Sequence, residues 1–309
     1  TMPANAFLTN AAIGNREDLV DIIYNTAPTD TPLISAIDKV KATAVTHEWQ
    51  RDVLATPANN AVAEGADATY TAITPTQRLS NQTQISRKTF SISDTQERVS
   101  KAGRKSEIRY QTIKQGKELR KDMELALIEN STQTTGATRQ TRGLRGWLVT
   151  GSSFGAGGAN PNFGTNTAPT DGTLRTFTEA LMRSAALSAY TNGGNISMLM
   201  VHPSIKQNIS ATFTGAGTKF NKGETKQLNT AWDVIKTDFG DLDIVPNRVM
   251  QRTREAYYID PDLCALAVLR DMEDQELARI GSARNFMIES EYALEVREER
   301  GMACTRDIQ

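Results

Sequence analysis

Apolar residues are sparse along the N-terminal part of the chain and later gather into short alternating runs. From Lys41 to Val53 the residues Val45, His47, Trp49, Arg51 and Val53 alternate with Ala44, Thr46, Glu48, Gln50 and Asp52. This period of two predicts a strand. A second strand is predicted over Ser80 to Ser93, polar on both faces until Phe90 and Ile92. Between them lie Ala, Thr, Asn and Gly residues with Pro57 and Pro75, so the pair reads as a long ribbon with a loose tip. Two strands alone are marginal in water, and the ribbon therefore needs neighbours.

The ribbon feeds into a long charged helix. Asp94 with Glu97 resembles a capping box, Gly103 interrupts a first short helix, and the main helix is expected from about Arg104 to Asn130. Its length, roughly 40 Å at about 1.5 Å per residue, exceeds what a domain of this size encloses. Ile108, Ile113, Leu119, Met123, Ala126 and Leu127 form one apolar stripe. Lys114, Glu118, Arg120, Lys121, Asp122 and Glu124 are read as exposed charge, with Lys114–Glu118 and Arg120–Glu124 at pairing distance along the helix. The stripe finds a plausible cover late in the chain. There Ile288, Ser290, Tyr292, Leu294 and Val296 alternate with Glu289, Glu291, Ala293, Glu295 and Arg297, a strand with one dry and one charged face.

Residues 1–40 read as an arm: one short helix over Arg16 to Tyr24, then Pro28 and Pro32 to stop it. Thr150 to Gly172 is a glycine-rich stretch expected to be a flexible surface loop. A helix follows from Thr173 to about Tyr190, closed by Gly193 and Gly194. Beyond it come SMLMV, a helix after Pro203, a polar loop over 214–230, then WDVIKT, LDIVP, AYYID and CALAVLR. Short strands and helices in this mixed order give an α+β fold.

Composition narrows the function. The 309 residues, 39% hydrophobic, can bury a real core, and the length predicts about two lobes. With 35 basic and 36 acidic residues, the net charge of -1 argues against a dedicated nucleic-acid binder, although local basic patches remain open. Cys264 and Cys304 have no metal-ligand or CxxC spacing and read as buried reduced thiols. No apolar run approaches the roughly 18 to 20 residues of a membrane span, and no signal-peptide pattern opens the chain, so no membrane partner and a cytoplasmic origin are expected. The chain opens Thr-Met, which points to upstream processing or a cloning remnant.

Candidate chemistry is thin. His47 and His202 lie far apart without the company a catalytic centre needs. The glycine-rich stretch lacks GK[ST]. Asp238, Asp241 and Asp243 lack the spacing of a calcium loop and read as solvated acids around a Gly240 hairpin turn, and DMEDQE (Asp271 to Glu276) reads as a solvated edge. No catalytic residue, cofactor or metal is expected. The basic residues Arg78, Arg87, Lys88, Arg98, Lys101, Arg104 and Lys105 flank the ribbon and helix start. They either confer solubility or pair across subunits with Glu289, Glu291, Glu298 and Glu299. The intersubunit contact set expected on the ribbon is His47, Trp49, Arg51, Arg78, Arg87 and Lys88.

The order of parts, with REDLVDIIYNTAPTDTPLISAI, KELRKDMELALIEN, TDFGDLDIVPNR, AYYIDPDLCALAVLR and EYALEVREERG, resembles tailed-phage major capsid proteins of the Hong Kong 97 fold. Among them it is similar to the podovirus subfamily related to that of phage SU-ten. The resemblance implies an N-terminal arm (1–40), an extended loop (41–93), a peripheral domain with the spine helix (94–149), an axial domain (150–280) and a return strand of the peripheral domain (281–309). It implies hexamers and pentamers in an icosahedral shell around double-stranded DNA held by confinement without sequence readout, assembled in the host bacterial cytoplasm. Scaffold, portal and decoration proteins are the implied partners. Some relatives cross-link through a lysine of the extended loop. Leu54 to Arg78 contains no lysine, so a non-covalent shell is expected here. Two rivals remain: an encapsulin-like cellular compartment, and a small hydrolase using His202 with Asp238 to Asp243.

Overall fold

The computed structural model describes residues 30–100, 103, 105–212 and 234–309. The helix expected over Arg16 to Tyr24, Pro28 and the polar loop over 214–230 lie outside the described residues. The elements run α1 (Pro32–Ala36), β1 (Asp38–Lys41), β2 (Thr46–Arg51), β3 (Gln77–Gln82), β4 (Gln84–Ser93), α2 (Asp94–Arg98), α3 (Glu107–Glu129), α4 (Leu144–Trp147) and β5 (Gly151–Ser153). They continue as α5 (Glu179–Thr191), β6 (Met198–Val201), α6 (Pro203–Thr212), β7 (Val234–Thr237), β8 (Gly240–Pro246), β9 (Glu255–Ile259), β10 (Cys264–Ile280), β11 (Ala283–Val296) and β12 (Ala303–Arg306).

Two sheets carry the structure. One is four-stranded in the order β1-β10-β11-β4, and the other six-stranded in the order β5-β12-β9-β6-β8-β7. In the second, β6, β9 and β12 are buried on both faces, which explains why SMLMV and AYYI read as unbroken apolar runs. Met198, Met200, Tyr257, Ile259 and Cys304 face a core shared with α1, α3 and β11, through Leu33, Leu127 and Leu294. Leu199, Val201, Ala256, Tyr258 and Ala303 face a second core under α5 and α6, with Ala185, Ala189, Ile205 and Ile209. The Gly240 turn forms as expected, with φ of 142° and β7 paired antiparallel to β8. Asp238, Asp241 and Asp243 are exposed around it.

β10 and β11 form one antiparallel hairpin turning near Gly281, and β12 joins the six-stranded sheet. Pro32 also starts a helix. It occupies the first turn of α1, where a missing N–H costs nothing. The last arm residues are therefore part of the body, with Leu33 buried and β1 paired parallel to β10. Several expectations need correction. The helix α2 is capped by Ser93, whose hydroxyl accepts from Gln96 N, and Asp94 sits in its first turn. Glu97 instead accepts from the backbone N–H groups of Glu107 and Ile108, capping α3 beside its own cap Ser106.

The stripe on α3 is only half right. Leu119, Met123, Ala126 and Leu127 are buried, whereas Ile113 is exposed. The glycine-rich stretch is not a free loop: Ala159 bridges Thr170, Asn162 bridges Thr167, and Asn160 donates to Val149 O. The two thiols are buried and unpaired, as expected. Burial pushes Cys264 up to about 12 and Cys304 to about 11, so both stay protonated.

Candidate intersubunit surface

The ribbon is real but shorter than its sequence pattern. β2 pairs antiparallel with β3 in register Thr46 with Gln82 through Arg51 with Gln77. The chain then changes sheets at Thr83, and β4 pairs with β11 instead. Thr83 is fully buried: its N–H donates to Val45 O, its hydroxyl donates to Glu291, and its carbonyl accepts from Arg139. The expected strand over Ser80 to Ser93 is thus two strands bent about one residue. Likewise, within the strand expected over Lys41 to Val53 only β2 forms, since Lys41 ends β1, which belongs to the four-stranded sheet.

Beyond Arg51 the tip, residues 52–76, forms no strand or helix and is exposed throughout. Its apolar side chains stand in solvent, with Leu54 94%, Val62 82%, Tyr70 98% and Ile73 94% exposed. Scattered exposed apolar residues are ordinary; four on one projecting segment without a core of its own are not.

The ribbon root, by contrast, is firmly clasped. Asn81 is fully buried and saturates its amide. Its Nδ2 donates to Arg142 O (3.0 Å) and Leu294 O (2.7 Å), and its Oδ1 accepts from Gln82 N (3.0 Å) and Arg142 N (2.9 Å). An aromatic series runs from His47 to Trp49, Trp147 and Phe163 with neighbouring centroids 5.4 to 5.7 Å apart. The Arg142 guanidinium lies 4.8 Å from the Trp147 ring and that of Arg51 5.7 Å from Phe163. Such cation–π contacts contribute about 0.5 to 2 kcal/mol each depending on desolvation. Burial pushes Arg142 down to about 10, and it donates to Phe163 O and Asn166 Oδ1.

The six residues expected to meet a neighbour all find partners within their own chain. His47 Nε2 lies 2.7 Å from Glu295, and Arg51 reaches Glu298 at 3.2 Å. Trp49 packs on the main core. Arg78 makes an exposed diagonal pair with Glu48 at 3.5 Å. Arg87 pairs with Glu289 at 2.6 Å across β4 and β11, and Lys88 with Asp122 of α3 at 2.6 Å. The structure therefore brings His47, Trp49 and Arg51 together at the root, while Arg87 and Lys88 lie on β4 and Arg78 on the open ribbon.

The charged face of β11 is likewise not solvated. Glu291 is buried and accepts from Thr83, Arg139 (2.7 Å) and Arg270 (3.0 Å); Glu289 is held by Arg87 and Arg270. Burial opposes ionisation at both, but their hydroxyl and guanidinium donors outweigh it and hold each carboxyl below the ordinary range. Glu299, also buried, accepts from the N–H groups of Val149 and Thr150 and from the Thr150 hydroxyl. His202 accepts from Ser204 N at the start of α6.

Asn81, Thr83, Arg142 and Phe163 were absent from the sequence-based set. One signal was available: asparagine is depleted in strands, so Asn81 inside a predicted strand marks a position needing explanation. Nothing local distinguishes Arg142 or Phe163.

Two sheets, the long helix α3 packed on β4 and β11, and a projecting ribbon make up a fold shared with shell-forming proteins. The capsid of Cyanophage A-1(L) has the same fold, with a TM-score of 0.68 at 11% identity over 97% of this chain and 98% of that one. So does the SrpI encapsulin of Synechococcus elongatus PCC 7942, with a TM-score of 0.59 at 9% identity over 96% and 92%. Fold alone does not separate virus from compartment; sequence does. The major capsid protein of Escherichia phage Phieco32 is 29% identical over 91% of both chains. The SU10 major capsid protein family model matches residues 5–309, and the chain belongs to that family. It is a phage major capsid protein, a component of the virion.

Proposed function

We propose that the protein closes an icosahedral shell of hexamers and pentamers around double-stranded DNA, and that the ribbon tip is its principal contact with the next copy. The observation that carries this reading is the contrast along one element, a root held by Asn81 and the aromatic series beneath a tip whose apolar side chains lie in water. A clasped root aims the tip; a neighbour supplies the cover. His47, Trp49, Arg51, Arg87 and Lys88 set the ribbon's direction, and Arg78, the most exposed of the salt-bridged set on the ribbon, is free to re-pair with a neighbour. The arm before Asp30 is a second contact, and expansion of a precursor shell re-docks both, a bistable repacking. The protein works without catalysis. It is assembled in the host bacterial cytoplasm with scaffold, portal and decoration proteins as partners.

Replacing residues 54–74 with a short Gly/Ser linker tests this. Electron microscopy of the unaltered chain is expected to show closed shells, and the variant is expected to stay folded, with an unchanged thermal transition, but to remain as small oligomers. Normal shells from the variant would refute the role of the tip. Native particles should absorb as nucleoprotein; particles full of protein cargo would favour the cellular compartment. Because Leu54 to Arg78 contains no lysine, denaturing electrophoresis of particles should show only the monomer band, and a ladder of linked oligomers would overturn the non-covalent reading.

A further inference from the structure

We propose that the exposed face of α3 is the surface on which this protein meets the phosphate backbone of the DNA it encloses. This rests on the shell reading above and adds a site to it. The inner face of α3 is fixed by Leu119, Met123 and Ala126 in the core and by Gly116, which faces Met272 of β10. At about 100° per residue, Arg109, Arg120, Ile113, Lys117, Lys121 and Lys114 fall within a sector of roughly 140° away from Leu119 and Ala126. They extend over about 18 Å of helix, and Lys105 adds a cation before the first turn.

Acids on this sector are masked or already used. Glu124 falls within it but is buried under α1. Asp122 lies outside it and is taken by Lys88. The expected Lys114–Glu118 pair does not form, and Arg120 donates to the Thr31 and Ser35 hydroxyls instead of pairing with Glu124. Arg109, Lys114, Lys117 and Lys121 have no carboxylate partner among the described residues. A chain of net charge -1 thus concentrates unneutralised cations along one straight rod.

The pattern favours a polyanion over a second copy of the chain. A protein partner needs acids in register and a dry patch, yet between Arg109 and Lys121 the exposed residues of the sector are all cationic apart from Ile113. The exposed acids Asp271, Glu273 and Asp274 of β10 lie between Arg270 and Arg279. Duplex DNA presents a charge about every 1.7 Å of axis, so solvated lysines neutralise it at any register and without reading sequence. Weak attachment per copy, multiplied over a shell, holds a genome without fixing it in place.

The test uses the full-length chain as dissociated subunits and a labelled short duplex of random sequence, with anisotropy followed against sodium chloride. Lys114→Gln, Lys117→Gln and Lys121→Gln together should weaken binding about 100-fold near 0.1 M salt and reduce the log–log salt slope by about 2.7. Lys236→Gln, on an exposed strand already paired with Asp241, should change neither. All three α3 side chains lie outside the core, so the thermal transition should not move. Unchanged affinity and slope would overturn the proposal. So would a triple variant that binds DNA normally but no longer associates in sedimentation, since the stripe would then be a contact between copies. Normal shells with unaltered DNA binding would sink the stripe alone; no shells from the unsubstituted chain would sink the reading beneath it.

Discussion

Asn81→Leu is expected to destabilise the subunit by about 3 to 5 kcal/mol, near the top of the range for a point substitution. The side chain is fully buried, and leucine approximates its volume, so the effect isolates hydrogen bonding from packing. Removing the amide orphans the N–H groups of Gln82 and Arg142 and leaves the carbonyls of Arg142 and Leu294 without their donor. Each unsatisfied buried group costs about 1 to 3 kcal/mol, with partial relief as the ribbon root loosens. That loosening has a functional reading, because the root sets where the tip points. Urea unfolding of dissociated subunits should show a lower midpoint at constant slope, and assembly should fail even where the subunit stays folded. A loss under about 1 kcal/mol with normal shells would show that the aromatic series alone fixes the ribbon.

The same residue shows why the sequence was legible only in part. Alternation identified β11 by its dry face, and unbroken apolar runs identified the doubly buried β6 and β9, because there apolar character and burial agree. They disagree wherever a polar residue is buried by a partner distant in sequence. Asn81, Thr83 and Glu291 read as ordinary polar strand positions, yet they are the joints at which the ribbon leaves one sheet and enters another. The bend at Thr83 is silent because polar alternation continues on both sides. For the same reason the sequence offers the acids of β11 to a neighbouring subunit, while the fold neutralises Glu289 and Glu291 with Arg87, Arg139 and Arg270. The α+β class was legible from the mixed order of short strands and helices, while the capsid fold came from the resemblance of stretches such as TDFGDLDIVPNR and EYALEVREERG to a known family.

Glu124 is the other misread acid, and Glu124→Ala is expected to cost about 3 kcal/mol. Its position on α3 suggested an exposed partner for Arg120; it is completely buried. Its Oε1 accepts from Leu33 N (2.8 Å) and Asn247 Nδ2 (2.8 Å), and its Oε2 from Ile34 N (2.9 Å). One carboxylate thus ties the base of the arm, the spine helix and the loop after β8. Alanine strips all three donors of their acceptor. Glu124→Gln keeps an oxygen for Leu33 and Asn247 but turns an NH2 toward Ile34 N–H, so a smaller loss of about 1 to 2 kcal/mol is expected. The two variants also differ from wild type in a pH-dependent way. Burial raises the Glu124 carboxyl above its ordinary value of 4.5, opposed by the Ile34, Leu33 and Asn247 hydrogen bonds and by Arg120. A carboxyl raised on folding contributes stability that is fully present below its unfolded value and is lost as pH rises through the folded one. The deficit of Glu124→Gln should therefore be largest in acid and shrink as pH climbs above 4.5, opposite to the trend for Glu289 and Glu291, whose lowered carboxyls lose their contribution as pH falls. Unfolding midpoints of wild type and variant across that range decide the matter: a deficit that grows with pH would mean that Glu124 is held as a stabilised carboxylate and that the three donors outweigh its burial.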